Sequence, residues 1–224
     1  MANNQNWQKE MEETLCALHG QPSRPHLLLH ACCGPCSSAV LEQLRKVFDI
    51  GVLYYNPNIW PEQEYRRRGQ ELVRFLQETE GEGEVFPIEL PYDPKEFYGA
   101  IEGLENEPER GNRCTVCYRL RLEKAAEYAA QHGYEWFCST LSISPHKDAA
   151  RLNQIGLELA QQYGVHWLVS DFKKKEGYKR SLTLSQEHHL YRQEYCGCEF
   201  SALARGIDRQ QALQLANEKT TGCN

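Results

Sequence analysis

The stretch His26-Leu27-Leu28-Leu29-His30-Ala31-Cys32-Cys33-Gly34-Pro35-Cys36 decides how the rest of the chain is read. Its apolar run follows Pro25 and is broken by Gly34-Pro35, the pattern of a short buried strand. Ser37 or Ser38 then suits the cap of a helix running to Phe48. Further out, GVLYYNP (51–57) reads as a second strand. Pro61 opens a helix to about Glu80, with Tyr65, Leu72, Phe75 and Leu76 at helical spacing. EVFPIEL (84–90) is a third strand, followed by a short helix near 94–104 and the polar loop ENEPERGNR. Residues 114–132 run without a breaker, and Gly133 suits a left-handed cap, so this is a helix. EWFCSTL (135–141) gives a fourth strand, Ser144-Pro145 starts a helix to about Tyr163, and VHWLVS (165–170) gives the fifth. Helical segments at 183–192 and 207–219 close the chain.

Strands alternating with helices predict an α/β protein in three layers, a doubly wound parallel sheet flanked by helices, with ligands at the carboxyl ends of the strands. Residues 1–25 read as a polar leader, 26–170 as the α/β domain, and 171–224 as a basic C-terminal helical extension packed on the same domain. The chain has 224 residues, with 25 Lys and Arg against 31 Asp and Glu, a formal charge of −6. At 41% hydrophobic and 25% charged it lies in the globular range, which excludes disorder as the main state. No run approaches the roughly 18 apolar residues of a membrane span, and the polar start MANNQNWQKEMEE is unlike a targeting peptide, so a cytoplasmic protein is expected.

Ten cysteines are the informative feature. In a reducing compartment they argue for metal or redox chemistry rather than structural disulfides. Seven cluster, as CCGPC (32–36), CTVC (114–117) and CGC (196–198). Cys16, Cys138 and Cys223 scatter and read as structural thiols. Cys114 and Cys117, three apart at a helix start, share a face near the positive end of the helix dipole. Neighbouring Cys32 and Cys33 reach one site only where the strand turns, which Gly34-Pro35 provides. Two thiolates from each cluster suffice for a [4Fe–4S] cluster or a tetrahedral zinc, and residue types do not choose between them. Cys36 is then a spare thiolate for a second metal ion. CGC reads as a redox dithiol, two further ligands or a turn.

Six motifs in order, LLLHACCGPCSS, YYNPNIWP with EYRRR, RCTVCYRLRL, STLSISPHKD, DFKKKEGYKRS and YRQEYCGCEFS, resemble the cobalamin-independent epoxyqueuosine reductases from about Leu27 to Ser201. The resemblance implies a Rossmann-like fold akin to the HUP and PP-loop nucleotide domains. Because no SGGxDS-type loop is present, ATP use is not expected. It implies reduction of the epoxide of epoxyqueuosine at the tRNA wobble position to queuosine. Cys32, Cys33, Cys114 and Cys117 would hold a [4Fe–4S] cluster, Cys36 an additional iron ion, and Cys196 with Cys198 would be a redox-active pair, fed by an unidentified electron donor. Loss of an epoxide oxygen as water takes two electrons and two protons, so a centre passing single electrons calls for a second redox element. Candidate proton donors are His146, Asp171, His30 and Tyr178.

A net negative protein that binds tRNA must concentrate its basic residues. Lys173, Lys174, Lys175, Tyr178, Lys179 and Arg180 form such a patch, supported by Arg66–Arg68 and Arg119–Arg121, and an extruded base would stack on Tyr178, Tyr55 or Trp60. His188 and His189 diverge on a helix and read as solvated surface. The rival readings are a zinc-stabilised RNA-binding module and a thiol oxidoreductase acting through CGC alone.

Overall fold

β1 (His26–Ala31) runs up the middle of a five-stranded, wholly parallel sheet. β2 (Asp49–Tyr54) and β3 (Val85–Glu89) lie on one side of it, β4 (Trp136–Ser139) and β5 (His166–Trp167) on the other, in the order β3-β2-β1-β4-β5. The computed structural model describes residues 5–79, 81 and 83–217. Leu27, Leu28 and Leu29 are wholly buried, as a central parallel strand covered on both faces requires. His30 lies opposite Leu53 and Ser139 in the register, and strand order reverses at the β1–β4 pair. The crevice beyond the carboxyl ends of β1 and β4 is therefore where a doubly wound sheet places its ligand.

Helices α1 (Trp7–Leu18), α2 (Gly34–Leu44), α3 (Glu62–Glu78), α4 (Pro94–Ala100), α5 (Asn112–Gln131) and α6 (Ala149–Tyr163) precede α7 (Gly177–Glu187), α8 (Glu199–Leu203) and α9 (Arg209–Asn217). α2 packs on α3 and α7, α5 on α6, and α9 on α3. Five strands and most helices fall where the sequence puts them, but several starts differ. α1 occupies much of the expected polar leader: Asn6 caps it at Lys9 N, and Met11 is buried. α2 begins at Gly34, because Pro35 enters its first turn, and the Ser37 and Ser38 hydroxyls donate back to the carbonyls of Cys33 and Pro35 instead of capping. α6 is capped by Asp148, whose Oδ1 accepts from Arg151 N at 3.1 Å; residues 140–143 form a 3-10 turn, so Ser144-Pro145 starts no helix. α7 begins six residues before the expected 183. The expected ends at Glu80 and residues 218–219, and Cys223, lie outside the described residues.

Candidate active site at the carboxyl edge of the sheet

Where β1 ends, the chain turns into α2 and brings three sulfurs together. The thiols of Cys32, Cys33 and Cys36 lie within 4.8 Å of one another, with Cys32 Sγ 3.7 Å from Cys33 Sγ. Thr140, from the 3-10 turn after β4, donates its hydroxyl to Cys32 Sγ at 3.7 Å, and the Gln193 amide donates to Cys33 Sγ at 3.2 Å. Hydrogen bonds from Cys33 and then Cys36 hold Cys32 well below the usual thiol range. The bond to Cys32 pushes the Cys33 thiol up to about 12, and the bonds of Cys36 to Cys32 and then Cys33 push Cys36 well above its ordinary value.

α5 supplies the second set. Cys114 Sγ accepts from Arg110 N at 3.2 Å, and Cys117 packs with Phe97, Ile101 and Cys198 in a small apolar cluster. Burial raises Cys117, and it pushes Cys198 up to about 12. Cys114 and Cys117 stand outside the triad, while Cys36 is inside it. One helical turn beyond Cys117, Arg121 is buried among the clusters: it lowers His30, and Cys117, Cys196 and Cys32 in turn raise it. Its Nη1 reaches Asn56 Oδ1 at 3.5 Å and its buried Nη2 has no hydrogen-bond partner.

The CGC turn closes the site. Trp60 N donates to Gly197 O at 2.8 Å, Tyr195 Oη donates to Trp60 O at 2.6 Å, and Arg68, with its buried partner Glu64, donates to the carbonyls of Tyr195 and Cys196. Gly197 sits at φ 129°, a conformation side chains rarely adopt, and a Cβ there would meet Arg68 and Ile59 at 3.1 Å. Cys196 and Cys198 are free thiols. Burial by itself would raise Cys196; Lys147, whose Nζ lies 2.6 Å from its sulfur, and then Arg121 outweigh that and hold it below its usual value.

A cavity of about 170 Å³ opens between these elements, lined by Cys32, Cys36, Arg121, Lys147, Tyr178 and Cys196 with His146, Arg192 and Arg205 toward solvent. Of the expected proton donors, His146 and Tyr178 line it. Asp171 does not: it pairs with Lys173 at 2.5 Å and faces a separate depression near the start of α1. His30 is buried with Nδ1 2.9 Å from Ser139 Oγ and Nε2 3.0 Å from Tyr55 O, and burial, then Arg121, lowers it to about 4, a neutral structural ring. Tyr55 is core, its hydroxyl on Glu96; Trp60 is half-buried behind the CGC turn. The basic patch is largely neutralised: Lys173 pairs with Asp171, Lys175 with Glu12 at 2.5 Å, Lys179 with Glu176 at 3.1 Å, and Arg180 with Glu42 at 2.7 Å and Glu187 at 3.5 Å. Lys174 lines the same depression as Asp171. His188 packs edge-on against Phe75, and His189 is exposed.

Sequence reasoning placed Arg68 and Arg121 in a tRNA-binding patch, but both are buried beside the cysteine clusters and meet no phosphate; Lys147 and Gln193 it passed over. Arg121 and Lys147 lie inside quoted motifs, RCTVCYRLRL and STLSISPHKD. Arg121, at i+4 from Cys117, carried the only local signal, since that spacing shares a helix face.

Fold and site define an α/β protein with a sulfur-built centre at the switch point of a parallel sheet. The model of the family described as Epoxyqueuosine reductase QueH matches residues 27–204, and the chain belongs to that family of oxidoreductases. Epoxyqueuosine reductase QueH of Streptococcus pyogenes serotype M1 is 40% identical over 208 residues, 92% of this chain and 82% of that protein. The proteins of the same name from Staphylococcus epidermidis and Haemophilus influenzae are 40% and 42% identical, over 92% and 78% of this chain and 88% and 71% of theirs. Among solved structures, a predicted subunit of tRNA methyltransferase from Methanocaldococcus jannaschii DSM superposes with a TM-score of 0.47 at 15% identity, over 84% of this chain and 92% of that one. Among the described residues, no helix is long and apolar enough to cross a membrane.

Proposed function

We propose that this protein reduces the epoxide of epoxyqueuosine in tRNA to the alkene of queuosine, the last step of queuosine biosynthesis, in the cytoplasm. The observation that carries the reading is the convergence of CCGPC, the start of α5 and the CGC turn around Arg121 at one end of the sheet.

The donor set fits a thiolate-held iron site. Its three convergent ligands are all sulfur, and the 3.7 Å separation of Cys32 and Cys33 matches the edge of about 3.8 Å for two thiolates on one metal ion with bonds of about 2.3 Å, whereas a [4Fe–4S] cluster, with one thiolate to each iron, would take these two sulfurs further apart. Buried Arg121 offers an unpartnered Nη2, and Gln193 an unpartnered Oε1, beside those sulfurs. Cys32, Cys33, Cys114 and Cys117 would hold a [4Fe–4S] cluster, which supplies single electrons, and Cys36 a further iron. Cys196 and Cys198 serve as the redox pair. The wobble nucleoside enters the cavity and stacks on Tyr178, while Arg192 and Arg205 meet the flanking phosphates. With its charges paired to carboxylates, the stretch Lys173–Arg180 contributes through Lys174 and Tyr178. His146 at the rim is the candidate proton donor.

The same sulfur spacing suits zinc, which is what favours the second reading, a zinc-held RNA-binding module without redox chemistry. Anaerobic protein incubated with chemical reductant and tRNA bearing epoxyqueuosine, followed by nucleoside mass spectrometry, separates them. Queuosine appears under the first reading; unchanged epoxyqueuosine beside bound tRNA supports the second.

A further inference from the structure

Arg68 and Arg121 are the two largest fully buried side chains among the described residues, yet their charges are balanced differently. Arg68 Nε lies 2.6 Å from Glu64 Oε1, with 1% of each side chain exposed. Arg121 meets no carboxylate among the described residues. Its Nε donates to the carbonyl oxygen of Cys117 at 3.1 Å, its Nη1 reaches Asn56 Oδ1 at 3.5 Å, and its buried Nη2 has no partner. Glu109 and Glu194 border the same cavity, but they stand at its exposed rim and make no bond to the guanidinium. A guanidinium keeps its proton at every accessible pH, and a buried charge with no counter-charge is strongly unfavourable. The groups placed to neutralise it are the sulfurs of Cys117, Cys196 and Cys32, which face it from α5, from the CGC turn and from the end of β1.

We propose that Arg121 is a positioning residue for the metal–sulfur centre: its Nη2 donates to a sulfur of that centre, and its fixed charge favours the centre's reduced state. The proposal rests on the iron–sulfur reading above. A thiolate-held iron centre becomes more negative by one charge when it takes up an electron. A cation and an N–H donor fixed beside its sulfurs stabilise that form more than the oxidised one, which raises the potential. No proton is exchanged, because arginine stays charged in both states. The fold prepares the donor in advance. Cys117 O, one helical turn before Arg121, holds Nε, and Asn56 holds Nη1. Asn56 is itself buried and anchored by its amide, which donates to Ala31 O at 2.9 Å. Nη2 is the arm of the fork left over, in the wall of the cavity that Cys32, Cys36 and Cys196 also line. Buried charge acts there with little screening by salt or water.

The test uses anaerobic holoprotein made with isotopically labelled arginine, chemically reduced and read by hyperfine spectroscopy, beside a redox titration of the centre followed by its visible absorption. Wild type is expected to show coupling between the reduced centre and an arginine nitrogen. Absence of that coupling overturns the proposal and needs no variant. Arg121→Lys is expected to abolish the coupling, and its persistence there overturns the proposal as well. Arg121→Met is expected to lower the potential by about 59 mV, tenfold for a one-electron couple, with Arg121→Lys between the two because a point charge keeps the field but not the fork. A purely structural role would reduce thermal stability or the amount of metal bound and leave the potential of the loaded fraction unmoved; that result also overturns the proposal. If Arg121→Met fails to load, the coupling in wild type and in Arg121→Lys decides. None of these readouts uses turnover. A loaded, arginine-coupled centre that yields no queuosine defeats the reductase reading and leaves this inference standing, whereas zinc in place of iron overturns both.

Discussion

The Nη1 of Arg68 donates to the carbonyl oxygen of Cys196 at 3.3 Å, joining helix α3 to the CGC turn across 128 residues of sequence. The same guanidinium donates Nε to Glu64 at 2.6 Å and Nη2 to Tyr195 O at 3.3 Å, and its charge faces Cys33. One buried cation thus sets the CGC turn against the first cysteine cluster. Arg68→Met would strand Glu64, a carboxylate with 1% of its side chain exposed, and is expected to cost about 3–5 kcal/mol in chemical denaturation. Arg68→Lys recovers only part, because a point charge cannot make the forked contacts.

The sulfur triad makes metal content a readout. Cys32→Ser, Cys33→Ser and Cys36→Ser should each lower bound metal in anaerobically prepared protein, measured by elemental analysis. The exposed Cys16, converted to Ser, should leave it unchanged. A full metal complement in all three triad variants would exclude the triad as ligands.

The two thiols of the CGC turn differ in reactivity. Cys196 is held low by Lys147 and Arg121 against the effect of burial, whereas burial pushes Cys198 up to about 12. Through the ordinary thiol range Cys196 is therefore the more ionised of the two. Iodoacetamide should label Cys196 first at pH 7, and Lys147→Met should shift the Cys196 labelling profile to higher pH. Equal labelling of both thiols in wild type would contradict this.

Nucleic-acid binding is tested by ionic strength. Each phosphate that a side chain neutralises adds about 0.7–0.9 to the steepness of log K against log salt. Arg192→Ala and Arg205→Ala, at the cavity mouth, should each make tRNA binding less salt-dependent by that increment. Lys175→Ala, whose charge already serves Glu12, should leave the slope nearly unchanged.

The sheet was readable because a central parallel strand leaves an uninterrupted apolar run, as at Leu27–Leu29, and because Gly and Pro punctuate the strand ends. Helix starts were harder. Ser37 and Ser38 resemble caps, yet both hydroxyls serve carbonyls within their own helix, and Asp148 outcompeted Ser144 for α6. The cysteine clusters announced themselves by spacing. Their relative placement did not: that Cys36 joins Cys32 and Cys33 while Cys117 packs on Cys198 depends on how α5 and the CGC turn approach the sheet. Charge pairing is equally tertiary. KKKEGYKR looks cationic until Glu12 and Glu42 arrive from α1 and α2.

The most direct measurement is the iron, zinc and acid-labile sulfide content of the protein purified without oxygen. Iron accompanied by sulfide, with absorption near 400 nm that dithionite bleaches, is the expected result. Stoichiometric zinc in a colourless protein lacking sulfide would contradict the account.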